Sequence, residues 1–189
     1  MTLETFWQLI DDARHASSRL VEIPQRLIDV LCRLDEQEIV DFWSHYLDCL
    51  HRSYDARLWL AAVAMMHGCG DDTFSDFRCW LIAQGRLRFE SALEDPDSLA
   101  DLDSFDGDAA AQPTLFYFGS VASDAFCKRS TGDERDSDAH ARFKALCPVR
   151  EYPPLKRREL INASDEEARA MFPKLAARFP TPIHTSPFT

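Results

Sequence analysis

Glycine is scarce, at 6 of 189 residues or about 3%, where globular chains average ~7%. That scarcity argues against a glycine-rich phosphate loop and a turn-dense β-sandwich, and leaves helices as the default. Cations are in the minority, with 21 Lys and Arg against 32 Asp and Glu, a net charge of −11 and a pI near 4.9. Phosphate backbones and anionic lipid surfaces would bring the same sign to a contact, so neither a nucleic-acid nor a membrane partner is expected. Long apolar runs are missing. No window approaches eighteen uninterrupted apolar residues, and residues 1–7 carry no basic stretch leading into an apolar one. The chain therefore reads as cytoplasmic. Cys32, Cys49, Cys69, Cys79, Cys127 and Cys147 form no C-x-x-C pair, which leaves reduced thiols in a helical core. No H-E-x-x-H, G-x-S-x-G or phosphate-loop lysine occurs, which removes the common signatures of hydrolases and nucleotidases. No cofactor is expected.

Hydrophobic residues make up 46% of the chain, enough for one soluble globular domain over residues 1–189. Phe6, Leu9, Ile10 and Ala13 recur at helical spacing after Thr2 and Thr5, either of which can cap. A second helix is expected from Pro24, whose missing N–H suits a first turn. Asp35 and Glu38 form a capping-box pattern ahead of Ile39, Phe42, Trp43, Tyr46 and Leu50. Ser53 opens a nearly all-apolar stretch that ends at Gly68, which marks a central helix. Phe74, Phe77, Leu81 and Ile82 follow, and Gly85 then predicts either a break between two helices or a kink.

Residues 94–108 hold seven acids together with Pro96 and Gly107. An acidic solvated loop over about residues 94–113 is expected, with at most one helical turn. An apolar run from Leu115 to Phe126 reads as a further helix, with a strand as the alternative for its first residues. Seven of the ten prolines lie between Pro148 and Pro187, which predicts an irregular tail over about 148–189 wrapping the body around one helix after Ser164. The expected fold is all-α, a single helical domain of about seven or eight helices.

The segment 53–99, SYDARLWLAAVAMMHGCGDDTFSDFRCWLIAQGRLRFESALEDPDSL, resembles the bacterial family known as domain of unknown function 4240. The opening TFWQLID at 5–11 and FPKLAARF at 172–179 resemble that family's start and end. Gly70 departs from the pattern, where Ser is expected, and Asp71 and Asp72 then stand in for the cap hydroxyl. The resemblance implies a bacterial origin and, in some members, company with regulatory modules, and it implies no activity.

Two groups of residues carry candidate chemistry. His67, Gly68, Cys69, Gly70, Asp71 and Asp72 place an imidazole, a thiol and two carboxylates within one turn. His67, Cys69 and Asp71 are weak metal-ligand candidates, but Asp at a helix start is ordinary capping. Trp59, Arg78, Trp80, Gln84 and Arg86 flank the turn and form a candidate ligand-binding set, with tryptophan stacking and a forked guanidinium for an anionic group. The bland alternative is that the tryptophans fill the core and Arg78 reaches an interhelical acceptor. A calcium loop beginning at Asp101 fails, because Asp106 stands where Gly is needed and Gln112 where Glu is needed. His45, Asp48 and Cys49 read as a solvated face.

Two functions follow as expectations. The first is a non-catalytic binding or regulatory protein for a basic protein partner, similar to the small acidic proteins that neutralise toxins. The second is an enzyme or small-ligand receptor at the Gly-Cys-Gly-Asp-Asp turn. There Asp71 and Asp72 would act as acid/base or orienting groups, and Arg78 would hold an anion.

Overall fold

A computed structural model of the chain describes residues 1–102 and 118–180. The described residues form ten α-helices and several short 3-10 turns, with no strand among them. In chain order the helices are α1 (Leu3–His15), α2 (Ile23–Leu31), α3 (Glu36–Arg52), α4 (Ala56–Met66), α5 (Asp71–Ala83), α6 (Arg86–Glu94), α7 (Val121–Thr131), α8 (Ser137–Leu146), α9 (Asp165–Met171) and α10 (Pro173–Arg178). None of the described helices is long and apolar enough to cross a membrane.

Helix boundaries follow local chemistry. Thr2 Oγ1 accepts from the Thr5 N–H at 3.1 Å to start α1. Asp35 and Glu38 close a reciprocal capping box on α3 at 2.8 and 3.2 Å. Ser164 and Glu167 do the same for α9. Ser53 does not open α4. Its hydroxyl turns back to the Cys49 and Leu50 carbonyls at 2.8 and 3.1 Å, closing α3, and Asp55 caps α4 through the Arg57 N–H. The helix count exceeds the expectation because α8 and α10 carry little apolar patterning. On α8 only Ala139 and Phe143 are buried, and on α10 only Leu175.

Helix α4 is the axle of the core. Nine of its eleven residues are buried, so neighbours must cover it on every side. Helices α5 and α10 and the turns Pro96–Asp101 and Arg158–Asn162 all pack on it. A second layer is formed by α2, α7 and α8, with α7 also against α3. One continuous cluster of buried side chains runs through both layers, from Phe6 and Trp7 through Phe42, Phe74 and Phe126 to Phe172.

The acidic stretch departs from its expectation where it is described. Within Pro96–Leu102, Pro96, Asp97, Leu99 and Leu102 are buried. Asp97, 6% exposed, accepts from the Lys174 and Leu175 N–H groups at 3.0 and 2.9 Å and so caps α10 from 77 and 78 residues away. Arg178 donates to the Ala100 and Leu102 carbonyls at 2.6 and 2.8 Å, which ties the other end of α10 to the same turn. The rest of the loop, the run from Leu115 to Tyr117 with its strand alternative, most of the calcium-like stretch and the last nine residues lie outside the described residues.

Gly85 makes the break between α5 and α6. Its φ of +90° with ψ near 169° lies in a region essentially reserved for glycine, and a Cβ there would sit 2.1 Å from Asp11 Oδ1. The absence of a side chain lets Asp11 accept the Arg86 N–H at 3.3 Å. Gly85→Ala is expected to destabilise the protein by about 3 kcal/mol in urea unfolding, the sum of backbone strain and overlap. In an Asp11→Ala background the same change should cost less, because only the backbone term remains. Equal cost in both backgrounds would refute the close approach.

Candidate functional site

The turn between α4 and α5 is built around Trp59. Its indole Nε1 donates to the Cys69 carbonyl at 2.7 Å, and its ring stacks on Phe74 with centroids 4.6 Å apart and planes 15° apart. His67 ends α4 in the left-handed conformation at φ 56°, and its N–H reaches the Val63 carbonyl. His67 itself is exposed, whereas Cys69 is buried beneath the turn. Gly70 is the N-cap of α5 and supplies no side-chain acceptor. Asp71 and Asp72 lie exposed in the first turn, where their charge complements the positive end of the helix dipole. Among the described residues no group of three or more His, Cys, Asp or Glu side chains is arranged to hold a metal ion.

Arg78 is 2% exposed and spends its guanidinium on the protein. Nη1 donates to the Leu50 carbonyl at 3.1 Å and to the Tyr152 hydroxyl, Nη2 to Ser75 Oγ at 3.0 Å, and Nε to the Phe74 carbonyl at 3.4 Å. The rings of Phe74, Tyr54 and Tyr152 surround Cζ at 4.9, 5.0 and 5.6 Å. No carboxylate forms an ion pair with it among the described residues. The physical logic lies at the C-terminus of α3, whose last carbonyls lack helical partners and carry the negative end of the dipole. Ser53 serves Cys49 and Leu50, Arg78 serves Leu50, and Lys156 serves Arg52 at 3.0 Å.

The other members of the candidate set are not gathered into one opening. Trp80 and Gln84 are buried, Trp80 beside Phe77 and Gln84 accepting from Arg88 at 3.1 Å. Arg86 pairs with Glu4 at 2.5 Å on the surface. None of Trp59, Arg78, Trp80, Gln84 and Arg86 lines the groove described next, nor do Asp71 and Asp72.

That groove, of about 1020 Å³, runs between α2, α3, α5, α7 and α8. Pro24, Ile28, Trp43 and Phe143 give it largely apolar walls, Asp76, Asp124 and Glu134 bring three carboxylates to them, and Arg135, His140 and Lys144 also line it. Two of these acids are served. Glu134 pairs with Lys128 at 2.8 Å, a bond that lowers its pKa, and Asp124 accepts the Ser120 hydroxyl at 2.6 Å. Asp76 has no hydrogen bond or ion pair from its carboxylate among the described residues, and burial followed by repulsion from Asp72 pushes its pKa up. Deeper in the wall, the Cys79 thiol and Tyr46 hydroxyl share a 2.9 Å hydrogen bond. Sequence reasoning missed this groove, because its walls come from five separated helices. One local signal was present: Asp72 and Asp76 put like charges one helical turn apart, a costly arrangement without a cation nearby.

The family model described as Protein of unknown function (DUF4240) matches residues 1–128. No curated protein and no solved structure matches the chain.

Arg78→Met should destabilise the fold by about 3 kcal/mol in urea unfolding, since it leaves the Leu50 carbonyl short of a partner and removes the cation from three rings. Arg78→Lys should recover less than half, because an ammonium cannot reproduce the fork. The buried thiols give a pH-dependent test. Burial pushes Cys49 and Cys69 up to about 12 from an ordinary 9.0. Both should resist Ellman's reagent at about pH 8 until urea unfolds the chain. Unfolding returns them to the ordinary value, so the unfolded state loses these protons first and stability should fall as pH rises from 9.0 towards 12.

Proposed function

We propose that this chain, which belongs to the DUF4240 family, is a non-catalytic binding or regulatory protein for a basic protein partner, seated in the groove between α2, α3, α5, α7 and α8. The observation that carries the reading is Asp76, a half-buried carboxylate on a largely apolar wall, which makes no ion pair among the described residues, with Arg135 and Lys144 of the same groove included, and sits in an unfavourable electrostatic setting. A lysine or arginine entering the groove would relieve that repulsion, while Trp43, Ile28 and Phe143 would cover its aliphatic stem and its apolar neighbours. The net charge of −11 would steer such a partner in from a distance. The reading resembles the way small acidic proteins neutralise toxins, and it has the protein working in the cytoplasm, with its six cysteines as thiols.

The partner's cation would favour ionised Asp76, so binding releases a proton and affinity should rise with pH through the carboxylate range. The test is capture from cell lysate on immobilised parent protein and on Asp76→Lys, at low salt and at about 0.5 M salt. A basic protein held at low salt, released at high salt and lost in the variant supports the reading. Equal retention by the variant would remove the groove from it. Copurification of a metabolite with no protein retained would overturn it in favour of a ligand receptor.

A further inference from the structure

The only run of three consecutive cations in the sequence is Lys156-Arg157-Arg158. The fold brings two of them to a second hollow, which shares no lining residue with the groove. This hollow, of about 210 Å³, lies where the end of α3 meets the first turn of α4, and Arg52, Arg57, Lys156 and Arg157 line it with a single acid, Asp55. Four cations around one small space repel one another, in a chain where acids outnumber bases overall.

Two of the four are matched by protein carboxylates. Arg52 holds Glu90 through both fork nitrogens at 2.8 and 2.5 Å, and Arg157 holds Asp55. The other two are not. The Arg57 guanidinium makes no hydrogen bond or ion pair among the described residues, and Lys156 Nζ gives one proton to the Arg52 carbonyl at 3.0 Å and keeps two. The hollow is thus left with an excess of two positive charges and unspent donors of two shapes, a planar fork and an ammonium. The backbone holds them in place. Lys156 pairs with Tyr54 and Ala56 on either side of Asp55 at 3.2 and 2.9 Å, and Arg157 adopts a left-handed φ of 52°, an uncommon conformation for a residue with a side chain. Asp55 does not compete for these donors, because its oxygens are taken by the Arg157 guanidinium and the Arg57 N–H.

We infer that this hollow is a binding site for a small phosphate-bearing anion, either inorganic phosphate or a low-molecular-weight phosphate monoester. The volume is below the ~300–1,000 Å³ of pockets for larger organic ligands. A doubly charged tetrahedral oxyanion matches the excess charge and offers more acceptor oxygens to a fork and an ammonium than the two of a singly charged carboxylate.

The test is calorimetric titration of the full chain with inorganic phosphate, phenyl phosphate and acetate, using the parent, Arg57→Ala, Lys156→Ala and the distant control Arg26→Ala. Helical circular dichroism and melting should show that all four proteins are folded. The expected result is one saturable site for the phosphates, with affinity lowered about tenfold by Arg57→Ala and by Lys156→Ala. Arg26→Ala should leave it unchanged, and acetate should bind more weakly than either phosphate. Tighter binding of phenyl phosphate than of inorganic phosphate identifies a monoester as the ligand class, and the reverse order identifies the free ion. Lack of saturation up to about 10 mM phosphate, or equal binding by parent and both pocket variants, would overturn the site.

Discussion

Apart from Arg57 in its first turn and Met66 in its last, α4 is buried at every position and has no solvent face to offer. Its burial is the condition the other elements satisfy. The Asp55 carboxylate at one end and the left-handed His67 at the other let the chain enter and leave a buried helix without stranding polar backbone. Trp59 extends that arrangement outward, since its ring packs on α5 and its N–H holds the departing turn. Helix α5 is thereby held against α4, and Arg78 on α5 then reaches the open carbonyls of α3. The positions of α3, α4 and α5 are linked through a few polar contacts, each of which satisfies a helix end.

Much of this order is legible in the sequence because it is local. The Asp35/Glu38 and Ser164/Glu167 pairs, Pro24 at the start of α2 and the glycine break at Gly85 are short-range signals whose physics does not depend on distant residues. Asp97 shows the limit. Within an acidic stretch it reads as one more solvated carboxylate, and only the approach of α10 turns it into a buried cap. Helix α8 escapes notice for another reason, since two inward residues are too few to mark a face. Arg78 stands out in the sequence as a cation beside an apolar stripe. Its interhelical carbonyl partner matches the structural alternative considered for it, whereas its ring of aromatics comes from three separate segments.

Electrostatically the molecule is less uniform than its composition suggests. Acids dominate the total, yet the end of α3 gathers cations around carbonyls that need them, and the same carbonyl-capping demand that places Arg78 and Lys156 there concentrates positive charge beside α4. Asp76, on α5 two residues before Arg78, has an acid of its own helix, Asp72, as the charged neighbour that raises its pKa after burial. The groove thus brings one unpaired carboxylate, Asp76, to largely apolar walls, whereas the hollow at the end of α3 holds cations in excess of its acids.

The dependence of α4 on its latest-made neighbour bears on where the fold can be divided. Phe172 and Leu175 belong to the same buried cluster as Phe6 and Trp7, although the segment matched to the family ends at residue 128. The boundary of the matched segment is therefore not a seam of the protein. As the chain leaves the ribosome, α4 emerges well before α10, with one flank bare and Asp97 waiting for the backbone it will cap. The polypeptide must keep that flank from other chains until α10 arrives, and a shortened version ending at the family boundary would never cover it.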